Sequence, residues 1–299
     1  MNGEGAAVDA ALREAGLDGP VTASRDLSGG CIHRVRELTL AGGTRLVAKL
    51  TDAPHVGLFR EEAAGLEALA DTDTVLVPRP LAVTNAGGAA VLLMTAIVHG
   101  RAESQAWGRF GRELAALHGA DPGDVTGYGF GADNHLGTTP QPNRWHDDWV
   151  RFNADCRLGH QLTLAARNNL LSGSEARRVE HVIDRLETLI PRRPKPALLH
   201  GDLWSGNALG AVDEGSAERI AVIDPACSYG DGWADIAMMK LFGGFPSRCL
   251  EAYATETDDR EGIEPRIAVY QLYHVLNHVN LFGRGYAGQA MTLAASLGA

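Results

Sequence analysis

The sequence predicts an α+β chain in two parts. A small, β-rich amino-terminal part has five strands with one helix inserted, and the larger carboxy-terminal part is mainly α-helical. Three observations carry this expectation. Short apolar runs separated by glycine-rich turns fill the first hundred residues. Helical spacing of apolar residues dominates beyond His99. At 299 residues the chain also exceeds one typical domain. The change of texture divides residues 1–98, an N-lobe, from residues 99–299, a C-lobe.

Residues 7–15 have apolar positions spaced for a short helix, with Gly16 as its stop. The strand-like runs "VTASRDL", "IHRVRELTL" and "TRLVAKL" follow, the last two joined by the hairpin turn "AGG". A helix is predicted over residues 57–70. The runs "RPLAVT" and "AAVLLMTA" then flank "NAGG", a second hairpin turn. Beyond the boundary, helices are predicted in "ESQAWGRFGRELAALHG", in "WHDDWVRFNADCRLGHQLTLAA" and over residues 175–190. Between the first two lies a Gly-, Pro- and Asn-rich loop over residues 121–144, long enough to be functional or disordered. The short strands "ALLHG" and "RIAVID" bracket the segment "DLWSGN", and helices fill the remainder.

Composition narrows the function. The chain is 45% hydrophobic and 21% charged, with a formal net charge of −10. That acidic balance argues against broad nucleic-acid or anionic-membrane binding, which needs clustered Lys and Arg. The first residues lack a basic region and a sustained apolar core, and no apolar run is long enough to span a bilayer. Cys31, Cys156, Cys227 and Cys249 are scattered without a C-x-x-C pair, so neither zinc nor a disulfide framework is indicated. A soluble, cytoplasmic protein is expected.

Chemistry concentrates in "LLHGDLWSGN", residues 198–207, and in the Asp224 that ends "RIAVID". An acid in a loop, an amide five residues on and a second acid at a strand end suit phosphoryl transfer. Asp202 would orient a hydroxyl and accept its proton. Asn207 and Asp224 would hold Mg²⁺, which takes oxygen ligands and bridges nucleotide phosphates. The plainer alternative is a Ser-Gly-Asn turn and a strand-end acid.

Lys49 ends the apolar strand "LVAKL", where an unpaired ammonium is costly to bury. In the next helix Phe59, Ala63, Leu66 and Ala70 form an apolar stripe. Glu62 lies on that stripe, three residues after Phe59 and four before Leu66. Glu61 lies about 100° round the helix, off its centre. An ion pair of Lys49 with Glu62 would position nucleotide phosphates; otherwise both groups are solvated. Gly29 and Gly30, in "LSGGCIHRV", would let backbone N–H groups approach phosphates, although a simple hairpin turn explains them equally.

These residues resemble known families. "HGDLWSGN" has the Asp-to-Asn spacing of the protein-kinase loop H-R-D-x-x-x-x-N. Together with "IDPACSYGDGWADIAMMKLFGGF", "DNHLGTTPQPN" and "YQLYHVLNHVNLFGRGY", it resembles the fructosamine-3-kinase, or ketosamine kinase, family over residues 28–286. The resemblance implies a bilobal protein-kinase-like fold, ATP with Mg²⁺, and phosphorylation of the 3-hydroxyl of an amine-linked ketose. It implies Asp202 as catalytic base, Asn207 and Asp224 as metal ligands, and Lys49 with Glu62 as the phosphate-positioning pair. Met94 and Ala96 are counted with the nucleotide-binding residues. The phosphorylated product would be prone to lose its sugar, making the enzyme a deglycation kinase acting on small-molecule or protein-bound ketosamines.

Departures from the protein-kinase pattern are equally informative. The D-F-G is replaced by Asp224-Pro225-Ala226, no A-P-E follows, and Asp235 comes soon after, leaving no room for a long activation loop. A protein Ser/Thr kinase is therefore not expected. Asp235 opens a helix and could brace the loop through backbone N–H groups, and His200 could hydrogen-bond within the loop. Trp204 would offer a flat face to a sugar, or anchor the loop. Gln141 and Asn143 would bond sugar hydroxyls, or the loop itself. The resemblance suggests that Phe245, His278 and Asn280 face the acceptor, with a core role as the alternative for His278.

Three rival readings stand beside this one. They are a kinase of an aminoglycoside or choline-like alcohol on the same fold, a non-catalytic nucleotide-binding module, and a metal hydrolase using His200, Asp202 and Asp224. "LWSGN" and "NHVNLFG" favour the ketosamine kinase over the first. The five intact polar residues oppose the second, and the third lacks further ligands at useful spacing. Cys31, beside the glycines, is a possible thiolate that could link two chains into an oxidised homodimer, the monomer being the alternative; Cys227 is its competing target.

Overall fold

The computed structural model describes residues 3–27, 33–213, 215, 217–257 and 262–299. Helix α1 (Gly3–Glu14) precedes strands β1 (Val21–Leu27), β2 (Arg34–Leu40) and β3 (Arg45–Asp52). Helix α2 (Val56–Asp71) follows, then β4 (Pro80–Ala86) and β5 (Ala89–Thr95). The strands form one antiparallel sheet in the order β1-β2-β3-β5-β4. Leu46, Ala48 and Leu50 of β3 join Ala7, Ala11 and Leu12 of α1 in one apolar cluster. Lys49 is out of phase with them, so it leaves the opposite face of the sheet.

Helix α2 packs against β4 and β5. It buries Phe59, Ala63, Leu66 and Ala70, the stripe expected from spacing. Full burial of the Phe59 ring contributes about 1.5–3 kcal/mol. The β4–β5 turn needs glycine, since Gly87 and Gly88 have φ of +62° and +84°.

The chain continues through α3 (Ser104–Gly119) and the small hairpin β6 (Asn134–Leu136) and β7 (Thr139–Gln141). Helix α4 (Trp149–Phe152), a π-helical segment (Asn153–Leu158) and α5 (Gly159–Arg167) run on without a break. Then come α6 (Gly173–Asp184), α7 (Leu186–Leu189) and β8 (Ala197–Leu199). The hairpin β9 (Ala208–Val212) and β10 (Glu218–Val222) is followed by β11 (Ser228–Gly230), which pairs with β8. Helices α8 (Trp233–Leu241), α9 (Ser247–Thr255), α10 (Ile263–Phe282) and α11 (Ala287–Ser296) complete the chain. Helix α10 packs against α5, α8 and α11.

Packing divides the chain differently from the expected 1–98 and 99–299. One compact unit comprises Met1–Trp107 and Gly206–Pro225, the other Gly108–Ser205 and Ala226–Ala299. The reason lies in the β9–β10 hairpin. Ala221 bridges Leu76, Ala211 bridges His99, and the Val212 N–H donates to the Val98 carbonyl at 2.8 Å. Residues 206–225 are thus tied to segments just before and after β4–β5, a return that spacing does not reveal. Asp202 belongs to the second unit, and Asn207 and Asp224 to the first.

Among the described residues, no helix is long and apolar enough to cross a membrane. Cys156, Cys227 and Cys249 are buried. Burial pushes the Cys227 thiol well above its ordinary value, with the charge of Asp235 adding to this. Cys227 is therefore no accessible thiolate, which corrects its expected role as a competing target. Cys31, Gly29 and Gly30 lie outside the described residues.

Candidate active site

In the first unit Lys49 is only 7% exposed, and it is not alone. Its ammonium donates to Glu62 Oε1 at 2.5 Å and also to Asp224 Oδ1. Burial alone would pull the Lys49 pKa down, but the charges and hydrogen bonds of the two carboxylates raise it above its ordinary value. Burial pushes Glu62 up; Lys49 opposes this and Asp224 reinforces it. Two carboxylates therefore share one ammonium, a crowded balance that suits an incoming phosphate and cation better than a purely structural pair.

Asp224 follows β10 with φ of +56°, a left-handed conformation uncommon outside glycine. Strained backbone of this kind clusters at ligand sites. Asn207 is buried at the end of a short 3₁₀ turn (Ser205–Asn207), where its carbonyl accepts the Ile223 N–H at 3.1 Å. The side chains of Asn207 and Asp224 can each present oxygen to a metal, an amide carbonyl and a carboxylate, the chemistry a hard divalent cation takes. Among the described residues, no group of three or more His, Cys, Asp or Glu is placed to hold a metal ion. Met94 is buried near the end of β5 and Ala96 is half-buried just beyond it.

In the second unit a buried carboxylate holds the loop of Asp202 by its backbone. Asp235 accepts the His200 N–H at 2.8 Å on Oδ2 and the Gly201 N–H at 2.9 Å on Oδ1. His118 Nε2 also lies 3.2 Å from Oδ2, and its Nδ1 lies 3.0 Å from the Tyr253 hydroxyl. Burial alone would raise the Asp235 pKa. The His118 hydrogen bond and charge outweigh it, with His200 and the Gly201 N–H adding to them, and hold the carboxyl below its ordinary value.

Glycine is required at position 201. Its φ is +81°, and an added Cβ would lie 2.0 Å from the Ala226 carbonyl oxygen. His200 is buried, and its Nδ1 accepts the Asp202 N–H at 3.3 Å, so the imidazole bonds the loop internally. Leu203 is fully buried and pins the loop, while its neighbours Asp202 and Trp204 are half-buried. Leu203 is thus an apolar anchor of the loop.

Gln141 and Asn143, for which sugar contact and loop self-bonding were both expected, make bonds within the protein. Both are buried with their amides engaged inside the protein. Gln141 Nε2 donates to Asn134 Oδ1 at 2.8 Å and to the Ala226 carbonyl at 3.2 Å, and its Oε1 accepts from the Tyr273 hydroxyl at 2.5 Å. Asn143 Nδ2 donates to Asn134 Oδ1 at 2.8 Å, and its Oδ1 accepts from Arg157 at 2.8 Å. Their role is to brace the long loop and the Ala226 carbonyl, which abuts Gly201. Arg157, Asn134 and Tyr273 were not foreseen. A signal existed for Arg157: it lies on the inward face of Trp149 and Asn153 at four-residue spacing. Phe245 and His278 are half-buried, and Asn280 Nδ2 donates to Gln161 Oε1 at 2.7 Å.

Comparisons with known proteins identify what the chain is similar to. The family model for fructosamine kinase matches residues 7–297. A Synechocystis protein named probable ketoamine kinase is 42% identical over 90% of this chain and 88% of its own. The chloroplastic protein-ribulosamine 3-kinase of Arabidopsis thaliana is 36% identical over 91% of this chain and 82% of its own. A crystal structure of a candidate fructosamine-3-kinase from Thermobifida fusca YX-ER1 superposes with a TM-score of 0.85 at 32% identity, covering 97% of each chain.

Proposed function

The chain belongs to the fructosamine kinase family, and from that premise we propose that it transfers the γ-phosphate of ATP to the 3-hydroxyl of a ketosamine. Fructosamine and ribulosamine adducts are the substrate class, free or protein-bound. Asp202 accepts the proton of the attacking hydroxyl. The sugar oxygen forms the new bond to the γ-phosphorus, the bond to the bridging β–γ oxygen breaks, and ADP leaves. Lys49 supplies a fixed positive charge to the phosphates, and Glu62 orients it. Asn207 and Asp224 would hold Mg²⁺, whose part is to neutralise phosphate charge. The Trp204 face receives the C–H side of the sugar, and Phe245 and His278 border the acceptor. A cytoplasmic location, where ATP is supplied, belongs to this reading.

The observation that carries the chemistry is the buried Lys49 held between Glu62 and Asp224. The family match supports the substrate class. The test is ATP consumption with fructosamine, ribulosamine, erythrulosamine, an aminoglycoside and choline side by side. Ketosamines should give the highest kcat/KM. Faster turnover of the aminoglycoside or choline would overturn the substrate assignment, and no acceptor-dependent turnover would overturn the enzyme.

A further inference from the structure

Two exposed rings of the second unit gather around one histidine. Phe282 is 66% exposed and Phe242 41%. Their centroids lie 5.5 and 4.8 Å from that of the His278 imidazole. Tyr286 completes the group, 5.1 Å from His278 and 6.0 Å from Phe282. A lone exposed Phe needs no explanation, but a contiguous aromatic patch marks a surface that meets a ligand.

The patch is continuous with the catalytic loop. Phe242 is followed by Gly243, Gly244 and Phe245. Gly244, with φ of +90°, packs against Ser205 so closely that an added Cβ would lie 2.5 Å from its Oγ. Ser205 is the next residue after Trp204. The surface therefore leads away from the loop that carries Asp202, within a single compact unit.

Its chemistry selects a cation. The faces of Phe and Tyr rings attract ammonium groups. His278 Nδ1 lies 2.8 Å from the His274 carbonyl, so Nδ1 carries the hydrogen and Nε2 is left as an acceptor. Burial holds the His278 pKa below its ordinary value, only partly opposed by that carbonyl, so the ring stays neutral at neutral pH and does not repel a cation. A ketosamine joins its sugar to a secondary amine, which is protonated at neutral pH. One end of the substrate is thus a polyhydroxyl chain and the other an alkylammonium.

We propose that Phe242, His278, Phe282 and Tyr286 bind the amine-bearing end of the acceptor, with its alkylammonium against the rings. The assignment rests on the ketosamine kinase reading above and extends it from the sugar to its carrier. It makes the charged secondary amine itself a recognition element. A ketosamine whose nitrogen has been acylated, and so is neutral, binds more weakly.

The experiment uses the fructosyl adduct of an alkylamine and its N-acetylated counterpart as paired acceptors for wild type, Phe282→Ala, Phe242→Ala and the double variant. For the charged acceptor, each single change should raise KM about threefold and the double change about tenfold. The kcat and the KM for ATP should stay within about twofold, the scale of one exposed ring contact. KM for the acetylated acceptor should hardly change. Phe282→Trp, which keeps a ring, should retain the wild-type KM, separating ring loss from misfolding. Unchanged KM in the double variant overturns the site, as do equal increases for both acceptors. A change of oligomeric state in sedimentation without a change in KM would assign the patch to a second copy of the chain and also overturn it. Absence of wild-type activity on any ketosamine is a separate result, and it refutes the kinase reading itself.

Discussion

Around Lys49 the proposed functional side chains are one another's partners, whereas around Asp202 a separate buried residue holds the loop's backbone. Lys49, Glu62 and Asp224 come from a strand, a helix and a strand end, and their charges meet directly. The loop of Asp202 is fixed through the N–H groups of His200 and Gly201 on Asp235, leaving the Asp202 side chain half-buried. The contrast fits the work proposed for each group. Phosphate binding calls for a preformed charge, which a low-dielectric setting requires to be paired. For Asp202, proposed as the base, the loop's backbone is held by a second residue, Asp235. In the first region, altering any member should disturb the proposed phosphate binding and stability together. In the second, position and chemistry separate.

The largest effect should come from the support. Asp235→Ala leaves two buried backbone N–H groups and His118 without their carboxylate, and should cost about 3–5 kcal/mol of unfolding free energy. Urea titration checks it. The pH dependence sharpens the test through Asp235→Asn. The wild-type carboxyl is held below its ordinary value of 3.8, so its contribution is complete above that value and lost as pH falls through the lower folded one. The stability gap to Asp235→Asn should be flat near neutrality and narrow only below about pH 4.

Next comes Asp202, the proposed base. Asp202→Asn should lower kcat at least about a hundredfold while leaving unfolding free energy and the KM for ATP near wild type. Near-normal turnover would end the separation of position from chemistry. Glu62→Gln should behave in the opposite manner, raising the KM for ATP about tenfold and lowering stability as well, because it removes a charged hydrogen-bond partner from a buried ammonium. The smallest effect belongs to Trp204→Ala. It should raise the ketosamine KM about three- to tenfold without changing that for ATP, the loss of one aromatic face. Equal weakening for both ligands would return Trp204 to an anchoring role.

What the sequence could and could not reveal follows the same division. Lys49 and Glu62 were legible because a period of two and a helical stripe each turn a charge inward, and a charge so placed needs a partner. The brace by Asp235 was legible as chemistry, an acid at a helix start near backbone donors. Gln141 and Asn143 were not, because their partners Ala226 and Arg157 are brought to them only by the tertiary fold. The strands β9 and β11 were missed for a related reason. Each is short, and only its partner strand makes it a strand. The return of residues 206–225 to the first unit likewise depends on backbone bridges that carry no side-chain signature.

The most direct measurement is the structure of the product. Wild-type protein incubated with ATP, Mg²⁺ and a fructosamine should yield one ADP per phosphorylated acceptor, with phosphorus-31 NMR coupling the phosphate to the hydrogen on C3. Free amine should then appear as that product decomposes. ADP formed with inorganic phosphate alone, or phosphate carried on any other oxygen, would contradict a ketosamine 3-kinase.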